Sequence, residues 1–324
     1  GLESRVIMTQ FLRTIPLTDD DPGYKLTKLA QGRCVSRIPK GGVYPRVTAG
    51  VQDYFLETVK LGGRLDNYME DLLGISSELR AYQTGKSFET MRDDLALTID
   101  EMVSLVINTS PQEKDIYDGS VDNACTAYSM EHLSKMILRL KQKVVGLRTL
   151  EDYVLIIPSA LEYNLRSDGA FDNAPSIKTE MLLKGQLPQQ LGGLGGVIVT
   201  EQMPVKYDSG GKMLDETNAP TGVWVLPSWF TAEPQDLPVE YRANRIDPAN
   251  FTPEKVASTA WLIHKNKCGV FLNRRPTSGV WNFVEAHVGG EDDTLGARVK
   301  AMCNAAITDS KYLVRGENFT LTVA

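Results

Sequence analysis

Apolar and polar positions change period several times along this chain, and each change marks an element. The plainest signal is YVLII at residues 153–157, five apolar residues in a row stopped by Pro158. Such a run predicts a strand buried on both faces. Leu161 and Leu165, four apart, then predict a short helix begun at Pro158. A polar insert follows and ends in Gly192, Gly193, Gly195 and Gly196, a tight approach to a second buried strand at residues 197–200. Two strands joined through a helix form an α/β unit, the centre of a globular domain.

Upstream, residues 5–11 are extended in character and residues 16–22 are acidic and turn-rich. Residues 24–38 and 51–65 alternate loosely around a loop holding Gly41, Gly42, Pro45 and Gly50, which predicts an antiparallel hairpin. Arms of about 13 residues would reach roughly 40 Å. A lone ribbon buries too little to be stable in water, so it needs another surface, its own domain or a neighbouring subunit. Amphipathic text at 65–80 is followed by Gly85 as a break and Ser87 as a cap. Phe88, Met91, Leu95, Ile99, Met102 and Val106 then predict a helix over 87–108. That helix would be about 33 Å long, with Asp93, Asp94, Asp100 and Glu101 on solvated faces and Pro111 beyond its end. A second helix is predicted over 122–145, with Leu133, Met136, Ile137, Leu140 and Val144 inward. Its Lys135, Arg139, Lys141 and Lys143 form a solvated end matched to the helix dipole.

Past Pro204 the chain reads as loop over 208–221, strand-like at 223–226 and 229–230, and irregular over 233–245. Thr252 and Pro253 set up a short helix start. Strands are predicted at 261–263, 269–272, 299–307, 312–314 and 319–323, with an exposed turn at 289–293.

Composition narrows the function classes. The 324 residues are 42% hydrophobic and 23% charged, the balance of a folded globular protein. A net charge of −6 lacks the basic excess of a dedicated nucleic-acid binder. No run approaches the ~18 apolar residues of a membrane-spanning helix. Cys34, Cys125, Cys268 and Cys303 are too scattered for a C-x-x-C pair and read as small buried hydrophobes. His132, His264 and His287 begin no zinc pattern, and His132 reads as structural or surface-lying. No G-x-S-x-G elbow or phosphate-binding loop occurs. The glycines at 193–196 precede a strand, where a dinucleotide fingerprint must follow one. Arg274 and Arg275 read as an interface or solvent-facing pair. No catalytic, cofactor-binding or metal-binding residue is therefore assigned, and no cofactor is expected.

The order of segments resembles the central part of tailed-bacteriophage major capsid proteins with the Hong Kong 97-like fold. In that family a strand ending in Asn-Pro or a similar pair leads to a short Leu-bearing helix. Leu-x-Gly, a Val-rich strand, Thr and often Met-Pro follow. Ile157-Pro158, Leu161 with Leu165, Leu194-Gly195, the run 197–200 and Met203-Pro204 fill those places in order. Ile157 standing where the family has Asn is a departure. The resemblance covers residues 24–324 by order of elements.

The resemblance implies an α+β chain with an N-terminal arm (1–23) and an extended β-hairpin loop (24–66). A peripheral domain with a long spine helix (67–150), an axial domain (151–282) and return strands of the peripheral domain (283–324) complete it. It implies a structural, non-enzymatic subunit that self-assembles through hexamers and pentamers into an icosahedral shell around double-stranded DNA. Portal, scaffold and decoration proteins would be partners, DNA would be held non-specifically and no membrane would be engaged. The location would be the virion capsid, assembled in the host cytoplasm, and a maturation protease would account for a start at Gly1 rather than Met. An encapsulin-like cellular shell, or a soluble α/β enzyme without a familiar motif, are the alternatives the residues leave open.

Overall fold

The computed structural model describes residues 9–18, 23–30, 50–68, 77–109, 115–122, 125–144, 146–172, 175–185, 187–188, 191–207, 223–225, 257–274, 283–288 and 294–321. In chain order the first elements are β1 (Arg13–Leu17), β2 (Tyr24–Ala30), β3 (Gly50–Leu56), β4 (Val59–Tyr68) and α1 (Ser77–Thr109). Next come β5 (Ile116–Asp118), α2 (Met130–Lys143), β6 (Leu150–Ile157), α3 (Ser159–Ser167), α4 (Pro175–Lys184) and β7 (Leu194–Val199). Then follow β8 (Val205–Tyr207), β9 (Val223–Val225), β10 (Ala257–His264), β11 (Gly269–Arg274), β12 (Phe283–Val288), β13 (Thr294–Ile307) and β14 (Leu313–Thr320). The chain divides into two compact units.

One unit comprises Gly1–Arg13, Glu89–Val270 and Ala305–Ala324. Its sheet runs β5-β14-β10-β6-β7, with β8 also on β10 and β9 on β8. The predicted run at 153–157 is buried throughout, in a strand that starts at Leu150. It lies antiparallel to β10 and parallel to β7. Every residue of β10 is buried, as expected of a strand with neighbours on both sides. Tyr153, Leu155 and Ile157 alternate along β6 onto one face. There they join Leu133, Met136 and Leu140 of α2, Leu161 and Leu165 of α3, and Met181 of α4 in a single core. Each such side chain contributes about 1.5–3 kcal/mol by leaving water. Pro158 caps α3 from extended backbone, one residue before the helix proper.

Several sequence expectations are corrected here. α1 passes straight through Gly85 and begins at Ser77, not Ser87. Gly85 is exposed and a Cβ there would touch nothing. It carries only the usual penalty of about 1 kcal/mol relative to Ala, too little to end a long helix. The fully buried positions are Met91, Leu95, Ile99, Val103 and Ile107, together with Ala96, Asp100, Ser104 and Asn108. The stripe thus extends to the side opposite Met102 and Val106, which are half-buried. Asp100 lies on the inner face, 4% exposed, rather than among solvated charges. The inner face tolerates polar groups because partners await them: Ser104 donates to the Gln202 carbonyl at 2.7 Å.

α2 starts at Met130, not at residue 122. The preceding backbone is occupied elsewhere. The Thr126 N–H donates to the Asn318 carbonyl at 3.2 Å, and the Thr320 N–H to the Thr126 carbonyl at 2.9 Å. Asp122 has φ 53°, which no helix accommodates.

The other unit comprises Thr14–Phe88 and Phe271–Asn304. Its sheet is ordered β1-β11-β13-β12, with β4 also on β13. Residues 65–68, read as amphipathic text, belong to β4, where ten cross-strand pairs join it to β13. Pro16, read as part of a turn-rich segment, sits in β1. That strand ends the sheet order among the described residues, the position in a sheet where proline is tolerated. β12 and β13 pair antiparallel across 289–293. The predicted loops at 39–49 and 208–221, the run 229–230, the irregular stretch 233–245, the helix start at 252–253 and Arg275 lie outside the described residues.

Candidate assembly interface

The predicted hairpin is present as β2 against β3, from Tyr24 opposite Leu56 to Ala30 opposite Gly50. Each paired strand has seven residues. The second arm stops at Leu56 instead of running to residue 65. Glu57 and Thr58 interrupt it, and from Val59 the chain pairs with β13. Among the described residues the ribbon pairs with no third strand. Lys25 and Asp53 form an exposed cross-strand ion pair at 2.7 Å, worth little to stability. Phe55, opposite Lys25, is 56% exposed. A two-stranded ribbon with an aromatic side chain in water is an incomplete structure by the physics of sheets.

The seven-stranded sheet has two dissimilar edges. At one, β5 lies beside α2, whose outer face carries Lys135, Leu138, Arg139 and Gln142 around an open hollow of about 400 Å³ that Tyr117 also lines. At the other edge is β7. The sequence predicted a buried strand there, but Gly195 and Val199 are exposed and the residues between are half-buried. The reason is position: β7 ends the strand order and pairs only with β6 among the described residues. Gly192 and Gly193 turn with φ of 61° and 80°, as the glycine-rich approach requires. Gly195 has a different task, since a Cβ there would lie 1.7 Å from the Glu151 carbonyl oxygen.

The polar interior is structural. Lys143, expected at a solvated helix end, reaches Asp115 at 2.5 Å, and that carboxylate is 1% exposed. Its ammonium also donates to the carbonyls of Ser310 at 2.9 Å and Leu313 at 2.6 Å. Burial lowers the Lys143 pKa, against the hydrogen bond and charge of Asp115. A second buried knot ties α1 to β14. Arg315 donates to Asn108 at 3.1 Å and pairs with Glu317, which Lys206 approaches at 3.8 Å.

His132 is held between Tyr117, Tyr128 and Phe319. The Thr126 hydroxyl donates to the Gly119 carbonyl at 2.6 Å, so it accepts from Nε2–H of His132 at 3.3 Å. Nδ1 then accepts from the Tyr117 hydroxyl at 2.9 Å. Both ring nitrogens are thus used by the neutral tautomer, and His132 is structural, one of the two roles expected of it. His264 is stacked edge-on against Tyr153 and Tyr312, while His287 lies in β12. Cys268 and Cys303 are buried, with thiol pKa values pushed by burial to about 12. Cys125 is half-buried and pushed to about 11. No three His, Cys, Asp or Glu side chains converge on a possible metal position among the described residues. No helix there is long and apolar enough to cross a membrane.

No protein-family model matches the chain, and no curated protein matches it in sequence. Solved structures do match it. The acid-stable capsid of Helicobacter pylori bacteriophage KHP30 aligns over 99% of this chain and 91% of its own, with a TM-score of 0.59 at 9% identity. The capsid of Ralstonia phage GP4 aligns over 99% and 91%, with a TM-score of 0.56 at 12% identity. The capsid of cyanophage P-SCSP1u aligns over 96% and 87%, with a TM-score of 0.56 at 12% identity. The likeness is one of fold: the chain has the α+β, Hong Kong 97-like architecture of tailed-phage capsid subunits.

Proposed function

We propose that this chain is the major capsid subunit of a tailed phage, whose copies close through hexamers and pentamers into an icosahedral shell around double-stranded DNA. The observation that carries the reading is the ribbon. In a chain with a capsid-type fold, β2 and β3 pair only with each other among the described residues and hold Phe55 in water. Resting on a neighbouring copy would complete it, and burying one Phe there contributes about 1.5–3 kcal/mol per contact. Repeated around a closed shell, a modest contact becomes a stable one.

The rest of the reading follows from that role. The arm at 1–23, the hairpin loop at 24–66, the peripheral domain at 67–150 with its returning strands at 283–324, and the axial domain at 151–282 are its working parts. A net charge of −6 limits adhesion to the packaged polyanion. Portal, scaffold and decoration proteins are its further partners, assembly takes place in the host cytoplasm, and no catalysis belongs to the role.

The test is direct. The purified chain, concentrated with and without crowding agents, is imaged by negative stain and sized by light scattering. Closed shells or capsomer rings are expected. A discrete 35.8 kDa species under every condition would overturn the reading, and shells that copurify with a cargo enzyme in place of DNA would transfer it to a cellular nanocompartment.

A further inference from the structure

We propose that the two opposite edges of the seven-stranded sheet recognise one another between copies, the β5–α2 edge of one seating on the β6–β7 edge of the next. This rests on the shell reading above and adds which surfaces meet.

Position comes first. β5 and β7 stand at opposite ends of the order β5-β14-β10-β6-β7. Four strand spacings of about 4.8 Å put them roughly 19 Å apart. A contact between two different patches on opposite edges of one sheet cannot lie on a single two-fold axis. Their contact is head-to-tail, the kind that closes into rings.

Chemistry comes second. The α2 edge presents Leu138, 57% exposed on a helix whose inner face is core. Lys135, Arg139 and Lys141 surround it with positive charge. The Lys135–Glu131 pair at 2.7 Å is exposed and of little net worth, so it is easily exchanged for another carboxylate. Val121, three residues past β5, adds a second apolar side chain, 58% exposed.

The β7 edge is the complement. Its sequence LGGVIV has no charge and no proline, two of the guards an edge strand commonly carries. Val199 and Gly195 are exposed. Glu151 and Asp152, both exposed at the start of β6, put two carboxylates on the strand next to that apolar strip; the Glu151 main-chain carbonyl faces Gly195, and the Asp152 carboxylate lies 3.9 Å from His264 Nε2. A basic rim around an apolar knob thus faces an acidic rim beside an apolar strip. Such complementarity fixes orientation and register as well as attraction.

The test is a charge exchange in the full chain. Lys135→Glu with Arg139→Glu, and separately Glu151→Lys with Asp152→Lys, should each lower the ring or shell fraction about tenfold, a change of the size like-charge contacts produce. All four substitutions together should restore it. Circular dichroism and the fluorescence of buried Trp261 confirm that each variant is folded, and Leu138→Asp gives a second disruption that needs no charge reversal of the rim. Pair variants that assemble like the parent chain, or a fourfold variant that does not recover, would overturn the proposal. So would a basic face that binds duplex DNA in a gel shift while its reversal leaves assembly intact. A parent chain that never assembles would instead bring down the shell reading itself.

Discussion

Replacing Lys143 with Met separates a buried ion pair from a solvated helix end, the two descriptions that structure and sequence give of the same side chain. Lys143 is 15% exposed and Asp115 is 1% exposed, at 2.5 Å. Met preserves the apolar stem but removes the charge, leaving the buried Asp115 carboxylate without its counter-charge from Lys143 and the carbonyls of Ser310 and Leu313 without that donor. Breaking one half of a buried pair costs about 3–5 kcal/mol. With a urea slope of about 3 kcal/mol/M, the midpoint should fall by about 1 M or more. Trp261, fully buried in the same sheet as β14, reports the transition by fluorescence in dilute, unassembled protein. Adding Asp115→Asn to Lys143→Met removes the carboxylate charge as well and should recover about half of the loss, since replacing a whole pair is far cheaper than halving it. A Lys143→Met variant within about 0.5 kcal/mol of the parent, the range of an ordinary surface change, would refute the buried-pair argument.

Four further outcomes are expected. Gly195→Ala should destabilise by about 1–3 kcal/mol, because its Cβ would collide with the Glu151 carbonyl, and hydrogen exchange should speed up first in β7; unchanged exchange there would be contrary. Gly85→Ala should raise stability by about 0.5–1 kcal/mol, since the helix is continuous and the site open; a lower melting temperature would restore a break at this position. Burial holds the His132 imidazole below its ordinary pKa, helped by Lys135 and opposed by Glu131 and Asp168. Its neutral form therefore supports the fold fully above the unfolded value of about 6.5, and that support is lost as pH falls from there through the folded pKa; an NMR titration midpoint above 6.5 would contradict this. Phe55→Asp should leave the circular dichroism spectrum unchanged and depress assembly, and normal particles from that variant would remove the ribbon from the interface.

Much of the fold was legible because burial writes itself into sequence period. The run at 153–157 is the inner strand that its five apolar residues predicted, and α2 declared its inner face through Leu133, Met136 and Leu140. What was not legible shares one cause: the deciding partner lies far off in sequence. Gly85 looked like a stop because nothing local says that a helix continues on both sides. Asp100 looked solvated because its buried surroundings come from the tertiary fold. The residues before Met130 looked helical until their backbone groups were taken by β14. β7 looked buried because an apolar run is the same text at the edge of a sheet as at its centre, and only the strand order tells them apart. The ribbon was legible as a pairing but not in its extent, since Glu57 and Thr58 carry no turn signature strong enough to separate β3 from β4. The opposed edges of the sheet were invisible, as no local pattern places β5 and β7 at its two ends.

The absence of any sequence match beside near-complete structural coverage follows from how little a fold asks of individual residues. A core needs apolar side chains of suitable total volume in the right period, and many sequences satisfy that. β10 makes the point, since Ser258 and Thr259 are as fully buried as Trp261 and Leu262, and His264 is buried too. Thr259 is acceptable there because its hydroxyl donates to the Gly316 carbonyl at 2.8 Å. Another chain could place valine at that position and keep the strand. Contacts between copies are less forgiving, because each surface must fit a partner that carries the same sequence. A basic rim at Lys135 and Arg139 is useful only if an acidic one exists elsewhere on the same chain, and a mutation in one selects for change in the other. The fold therefore tolerates wide sequence drift, while the surfaces that join copies drift in matched pairs. In this chain the matched charges at the two sheet edges are where such pairing would be read, and the fourfold exchange asks whether they are one.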